Sequence, residues 1–264
     1  MGELQFNPSC ARISIVKLPA LAALLALGAV ALLAQPARMP DTFSTTAGEV
    51  RITPIFHASV LLEAGGKAVF IDPYSQGDFT GLPKADLVLI THIHGDHNDP
   101  KALAQVRTGT TVVYTPANVA KTVPGALVMN NGETVHWGDF TIEAVAMYNL
   151  VRGPSAGTFF HPKGLGNGYI VSYGGKRFYF SGDTEATPEF RVLKNIDVAF
   201  VCMNLPFTMT PAEAAGGVRA MHPAVVYPYH YRNGDKTMQD LSVFQKALDG
   251  THIDVRLRNW YPGS

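Results

Sequence analysis

The stretch Thr91-His92-Ile93-His94-Gly95-Asp96-His97 decides both the fold class and the chemistry of this chain. It brings together three imidazoles and one carboxylate with no cysteine among them. Histidine and carboxylate ligands suit a catalytic divalent metal better than a structural zinc site, which is usually built on cysteine. The motif therefore predicts a catalytic metal centre.

The motif directly follows Leu87–Ile90, a continuous apolar run that is typical of a strand covered on both faces. In extended backbone His92 and His94 point the same way, and Gly95 permits a sharp turn. The last two residues of the motif then face the site from the other side of that turn. One loop thus offers two ligand pairs, close enough for two metals about 3.5–4 Å apart. The alternative is a polar loop with solvated histidines.

The rest of the pattern predicts short strands that alternate with helices. Gly138-Asp139 and Gly174-Gly175 indicate the turns of two hairpins, over residues 133–146 and 169–180. Thr210 and Glu213 have the spacing of a helix capping box. Helices are predicted at Pro100–Val106, Pro211–Met221 and Lys236–Leu248. Because hairpins precede strand–helix alternation in both halves, the sequence predicts an α/β fold with two stacked sheets and outer helices.

Length and charge narrow the function classes. The chain has 264 residues, ample for one buried core, and its basic and acidic residues both number 21. A formal net charge of zero gives no sign of a nucleic-acid partner, which requires clustered basic charge. Cys202 lies in an apolar stretch typical of a buried core residue, and Cys10 precedes the apolar N-terminal run, so no internal disulfide framework is expected.

The N-terminal part of the chain predicts export. Leu18 to Ala34 is an unbroken apolar run preceded by Arg12 and Lys17, as in a secretory signal. Its length also lies at the lower edge for a membrane-spanning helix. Residues 1–37 are therefore interpreted as a cleaved signal peptide or a retained membrane anchor, and both place the catalytic part outside the cytoplasm. Residues 38–49 are polar and turn-rich, which predicts a linker before one catalytic domain at 50–264.

The pattern H-x-H-x-D-H after an apolar strand resembles that of the metallo-β-lactamase superfamily of metal-dependent hydrolases. Four further motifs of that superfamily occur in the right order. They are Phe70-Ile71-Asp72-Pro73, His161-Pro162-Lys163-Gly164, Ser181-Gly182-Asp183-Thr184 and Tyr227-Pro228-Tyr229-His230. The resemblance covers residues 50–232 and implies a four-layer αββα sandwich.

The resemblance also implies two divalent metal ions and seven protein ligands. One ion would be held by His92, His94 and His161, the other by Asp96, His97 and His230, with Asp183 bridging the two. Imidazole and carboxylate ligands suit zinc, manganese or iron, and zinc is the expected metal. Asp72 is expected to orient a ligand histidine rather than to bind metal.

The implied activity is hydrolysis of a small ester, lactone or phosphodiester by a metal-bridging hydroxide. Residues 203–230 and the segment HPKGxGxGY resemble the lactonase-like branch, which includes the ascorbate-phosphate lactonase. Antibiotic-hydrolysing members commonly carry Cys where this chain has Asp183, which argues against β-lactamase activity. Two alternatives stay open: an iron-dependent redox member of the same superfamily and a non-catalytic metal-binding protein.

Other polar residues are candidates for roles around the metals. Asp96 and Asp183 are candidate proton carriers in catalysis. His57 resembles a histidine near the active site in one branch of the superfamily, and the alternative is a hydrogen-bonded core histidine. Lys163 and Arg232 flank ligand motifs and are candidates for holding an anionic or lipid-like substrate, or else are solvated surface cations. Surface or structural positions are expected for His136, His222 and His252.

Overall fold

The computed structural model describes residues 1–3 and 40–263, and its strands form two seven-stranded sheets in chain order. The first sheet contains β1 to β7, at Asp41–Thr45, Gly48–Phe56, Ser59–Ala64, Lys67–Ile71, Leu87–Leu89, Val112–Thr115 and Leu127–Val128. The second contains β8 to β14, at Thr134–Trp137, Phe140–Ala146, Asn167–Tyr173, Lys176–Phe180, Val198–Cys202, Val225–Tyr229 and Asp254–Val255. The helices are α1 to α5, at Pro100–Val106, Ala117–Ala120, Pro188–Arg191, Pro211–Met221 and Leu241–Leu248.

Both sheets begin antiparallel and end parallel. Strands β1 to β4 and β8 to β11 pair antiparallel, whereas β4 to β7 and β11 to β14 pair parallel. Parallel neighbours need a crossover connection, and each of the five helices lies in such a connection. The α/β fold with two stacked sheets is therefore confirmed, as are both predicted hairpins.

Aromatic side chains fill the core between and within the sheets. Phe200 of β12 is fully buried, and its ring stacks on those of Phe180 and Tyr227 at centroid distances of 4.8 and 4.7 Å. Phe43 of the first sheet meets Phe178 of the second edge to face at 5.7 Å. The buried faces of the two sheets thus pack against each other, and the polar loops are left at the strand ends.

The predicted linker over 38–49 is wrong from residue 41 onward. Residues 41–45 form β1, and β2 begins at Gly48. Phe43 is buried against the second sheet, and Asp41 pairs with Arg258, its Oδ1 lying 2.5 Å from Nη2. Because β1 has only one buried side chain, its sequence pattern does not differ from that of a polar linker.

The last predicted helix starts five residues later than expected. Asp240 caps α5 by accepting the Ser242 backbone N–H at 3.0 Å, and the helix begins at Leu241. Before it, Asp235 accepts the Thr237 N–H at 3.0 Å in a local turn that competes with helix. Helix α4, by contrast, has the predicted bounds and its capping box.

The apolar run at 18–34 lies outside the described residues, so the signal or anchor interpretation stays a prediction. Within residues 1–3 and 40–263, no helix combines the length and the apolar character needed to cross a bilayer.

Removing the central ring of the aromatic stack should destabilise the fold. Phe200→Ala is expected to lower the free energy of unfolding by about 3–5 kcal/mol, because it removes buried contacts and leaves a cavity. Val192→Ala, at a side chain that is 65% exposed, should change it by no more than about 0.5 kcal/mol. Urea denaturation followed by circular dichroism measures both, and equal effects would contradict this packing.

Candidate metal centre

The candidate site lies where the strands of both sheets end. Loops after β2, β4 and β5 of the first sheet carry His57, Asp72 and the motif at 91–97. Loops after β11 and β13 of the second sheet carry Asp183 and His230. Since parallel strands end at a common edge, side chains far apart in sequence converge there.

The structure brings all seven predicted ligands together, and His57 with them. Their nitrogen and carboxylate oxygen atoms form three groups, and within each group the atoms lie no more than 4.8 Å from one another. They are His92, His94 and His161; His57, Asp96 and His230; and His92, His97 and Asp183. The first predicted set recurs as one of these groups, whereas His97 is grouped with His92 and Asp183, and His57 with Asp96 and His230.

Asp183 stands between the two histidine sets. Its Oδ1 atom lies 3.4 Å from Nε2 of His97 and 3.4 Å from Nε2 of His230. Its Oδ2 atom lies 3.5 Å from Nε2 of His161. One carboxylate thus directs one oxygen to each set, which is the arrangement that a bridging ligand needs.

Hydrogen bonds on the outer ring nitrogens orient two of the histidines. Asp72 accepts the Nδ1–H of His97 at 2.7 Å and also accepts the backbone N–H and the hydroxyl of Thr91, both at 2.7 Å. Because the Thr91 hydroxyl proton goes to Asp72, its oxygen accepts the Nδ1–H of His92 at 2.9 Å. These hydrogen bonds direct Nε2 of both histidines into the site. The expected orienting role of Asp72 matches this geometry.

His161 is held in the same way from the second sheet. Oδ1 of Asn149 accepts both its backbone N–H at 2.8 Å and its Nδ1–H at 2.7 Å. Nε2 of His161 and Oδ1 of Asp183 are buried atoms without a hydrogen-bond partner. Buried polar atoms are nearly always paired, so two orphaned acceptors aimed into one site suit the binding of a cation.

His57 takes part in a chain of hydrogen bonds that ends on Asp96. Its Nε2 lies 3.0 Å from Oδ2 of Asp96, and its Nδ1 lies 2.7 Å from the Tyr261 hydroxyl. Burial, with His230 beside it, lowers the pKa of His57 to about 3, so the ring is neutral and carries one proton. A carboxylate only accepts, which assigns that proton to Nε2 and makes Tyr261 the donor to Nδ1. His57 is thus a buried, hydrogen-bonded histidine that lies beside the predicted ligand Asp96.

The electrostatics of the site suit cation binding. Burial lowers the pKa of His161 to about 4 and holds the pKa of His92 well below its ordinary value. Burial opposes ionisation of Asp183, but His230 and His97 outweigh it and hold the pKa of that carboxyl well below its usual range. Around His97, the carboxylates of Asp183, Asp72 and Asp96 overcome burial and raise the pKa of the imidazole. Ionised carboxylates therefore lie beside the neutral imidazoles of His92 and His161 and the protonated imidazole of His97.

Three residues of the site have a left-handed backbone. The φ angles are 59° for His57, 42° for Asp72 and 48° for His230. Such a conformation costs a non-glycine residue about 1–3 kcal/mol and persists only where the surroundings enforce it. Here the His230 N–H donates to the His57 carbonyl at 3.1 Å, and the Asp72 N–H donates to the Leu89 carbonyl at 3.0 Å. The sharp turns aim the side chains across the strand ends.

A cavity of about 450 Å³ opens over the site, and Arg232 lines it together with Tyr74, Phe207 and Asn204. Lys163 does not line it. Its ammonium group lies 2.6 Å from Oε1 of Glu189, outside the cavity. Of the two candidate substrate-binding cations, only Arg232 has the required position.

The structure separates the remaining histidines from the site. His136 lies on β8, His222 follows α4 and His252 precedes β14, all three exposed. Sequence reasoning missed Asn149 and Tyr261, which orient His161 and His57 from remote positions. Neither belongs to a motif, and no local pattern distinguishes them. Thr91 was inside the motif, and its position directly before His92 was the available signal.

Sequence comparison identifies relatives of this chain. The model of a beta-lactamase superfamily domain matches residues 51–230. A metal-dependent hydrolase of Thermus thermophilus is 32% identical over an alignment of 219 positions, which covers 76% of this chain and 94% of that protein.

Solved structures share the architecture. A crystal structure assigned to a metal-dependent hydrolase from Parabacteroides distasonis is 40% identical and has a TM-score of 0.78, covering 85% of this chain and 100% of that one. CmlA, a diiron beta-hydroxylase from Streptomyces venezuelae, is 18% identical with a TM-score of 0.61, covering 77% of this chain and 52% of that one. The second likeness concerns the fold alone.

Replacing Asp72 should destabilise the metal-free protein. Asp72→Ala is expected to lower the free energy of unfolding by about 3–5 kcal/mol, because it leaves the buried His97 without its charge partner and strands the Thr91 donors. Asp139→Ala, in the exposed turn between β8 and β9, is the matched control and should have little effect. Urea denaturation in the presence of a chelator measures both. A change in Asp72→Ala no larger than in the control would contradict the assigned network.

Proposed function

Since this chain belongs to the metallo-β-lactamase superfamily of metal-dependent hydrolases, we propose that it cleaves a small ester, lactone or phosphodiester at a two-metal centre. The ligands are the seven residues of the sequence prediction: His92, His94, Asp96, His97, His161, Asp183 and His230. Zinc is the proposed metal, and manganese and iron are the alternatives that this ligand set also suits.

One observation carries the proposal, namely the position of Asp183. Its two oxygens lie within 3.5 Å of imidazole nitrogens from two different sets. A single metal would use one of these oxygens and leave the other buried and unpaired, which is costly. Two cations, held by the two histidine sets, would satisfy both oxygens.

Two bound divalent ions would lower the pKa of a water molecule towards about 7 and polarise the oxygen under attack. The protein supplies ligands that hydrogen bonds hold in place. Asp72, Thr91 and Asn149 accept hydrogen bonds from the Nδ1–H groups of His97, His92 and His161, and so fix these rings in the orientation needed for binding.

Proton transfer is assigned to Asp96 with the help of His57. The side chain of Asp96 is 34% exposed, against 5% for Asp183, so Asp96 is the carboxylate that a leaving group reaches. His57 donates its Nε2–H to Oδ2 of Asp96, and Tyr261 donates to Nδ1 of His57. This arrangement keeps one Asp96 oxygen hydrogen-bonded while the carboxylate accepts and releases a proton. Asp183, buried between the sets, is assigned to holding metal.

Removing a single metal ligand should abolish turnover without unfolding the chain. His94→Ala and Asp183→Ala are each expected to reduce kcat/KM at least about 1000-fold on any substrate that wild type hydrolyses, since a metal position is lost. His136→Ala, at an exposed histidine of β8, is the matched control and should retain wild-type activity. Circular dichroism checks that each variant is folded. Full activity in both ligand variants would refute the proposal.

Metal analysis separates hydrolysis from the two alternative functions. Protein purified without added metal is expected to contain two divalent ions per chain, as measured by inductively coupled plasma mass spectrometry. With zinc or manganese it should hydrolyse members of a panel of lactones, esters and phosphodiesters. Stoichiometric iron with oxygen consumption would instead indicate redox chemistry. Two bound ions without turnover of any panel member would favour a non-catalytic metal-binding protein.

A further inference from the structure

Arg232 presents an unneutralised positive charge to the cavity. It follows the ligand His230 by two residues and lines the same cavity as His94 and Asp183. Its guanidinium lies over the rings of Tyr261 and Phe56, at 4.6 and 5.4 Å from their centroids. The contact to Oε1 of Gln76 is long, at 3.5 Å. Stacking on aromatic faces fixes the plane of the group while its N–H edge stays free to bind a ligand.

Several other cations of the described residues are neutralised by carboxylates. Each of five other arginines has a carboxylate oxygen within 4.0 Å, namely Arg51, Arg152, Arg177, Arg256 and Arg258. Lys163 is paired with Glu189. Within residues 40–263 no ion pair is formed by Arg232. Lys236, which is exposed, adds a second positive charge at the rim of the cavity.

A small apolar pocket opens beside the same histidines. It has a volume of about 50 Å³ and shares His94, His161 and Phe160 with the cavity. Its other walls include Met147 and Leu165. Gly166 makes room for Met147, because a Cβ atom at that position would lie 2.3 Å from the methionine Cε. The pocket suits a few carbon atoms and offers no charged group other than the histidines.

We propose that the substrate is an ester of a short aliphatic acid whose alcohol portion carries a carboxylate, and that this carboxylate binds Arg232. The inference rests on the proposed hydrolase function and specifies the substrate class. The short acyl chain enters the apolar pocket beside His94 and His161. Hydrolysis breaks the acyl C–O bond, the hydroxyl of water joins the acyl carbon, and the proton goes to the departing alkoxide. No co-reactant other than water is required.

A matched pair of esters tests the role of Arg232. The metal-loaded enzyme should hydrolyse meta-carboxyphenyl butanoate with a kcat/KM at least about 10-fold above that for meta-carbamoylphenyl butanoate, which has the same shape without the charge. In Arg232→Gln this ratio should fall to about one through a rise in KM, with metal content unchanged. Lys163→Gln, which removes a cation outside the cavity, should keep the wild-type ratio. A preference that survives in Arg232→Gln, or is absent in wild type, would overturn the inference and leave the hydrolase function standing.

A binding measurement covers the case in which neither ester is turned over. By titration calorimetry, the metal-loaded Arg232→Gln variant should bind meta-hydroxybenzoate at least about 10-fold more weakly than wild type. Equal dissociation constants would overturn the inference. Binding that depends on Arg232 but occurs without any hydrolysis would support the anion site and count against the proposed function alone.

Acyl length tests the other half of the inference. Because the pocket is small, the decanoyl analogue of the charged ester should be hydrolysed at least about 10-fold less efficiently than the butanoyl ester. Equal efficiency for both chain lengths would refute the role of the pocket.

Discussion

The buried carboxylate of Asp183 is the group on which the arrangement of the site depends. An ionised carboxylate removed from water is stable only if positive charge and hydrogen-bond donors replace its hydration. In this chain the neighbours of Asp183 are imidazoles, and within the described residues no lysine or arginine pairs with it. Without metal, protonation of His97 balances the charge, as the raised pKa of that residue indicates. Bound metal would take the place of that proton, so binding couples to proton release.

The fold meets this constraint by ending strands from two sheets at one edge. The parallel strands β4 and β5 deliver Asp72 and the motif from one side, and β11 and β13 deliver Asp183 and His230 from the other. The left-handed turns at His57, Asp72 and His230 are strained, and the surrounding backbone hydrogen bonds enforce them. Rigid strands with strained ends therefore hold the ligands in place before any metal binds, which limits the reorganisation that binding requires.

The sequence predicted the part of the site that is encoded locally. The motif at 91–97, the sheets and the set of side chains that meet at the site followed from residue type, spacing and the resemblance, because each ligand belongs to a local motif. The predictions that were wrong concern residues whose position is decided by tertiary contacts. Residues 41–49 look like a linker until Phe43 is seen to pack on Phe178, and Lys163 looks like a substrate cation until Glu189 is seen beside it. Asn149 and Tyr261 act through single hydrogen bonds to residues far along the chain, which leave no trace in local sequence.

Anomalous diffraction from crystals of the metal-loaded protein would show whether Asp183 joins two metal positions. Two anomalous peaks roughly 3.5–4 Å apart are expected. One peak should contact Oδ2 of Asp183 together with His92, His94 and His161, and the other should contact Oδ1 together with Asp96, His97 and His230. A single fully occupied peak, or two peaks of which neither contacts Asp183, would contradict this expectation.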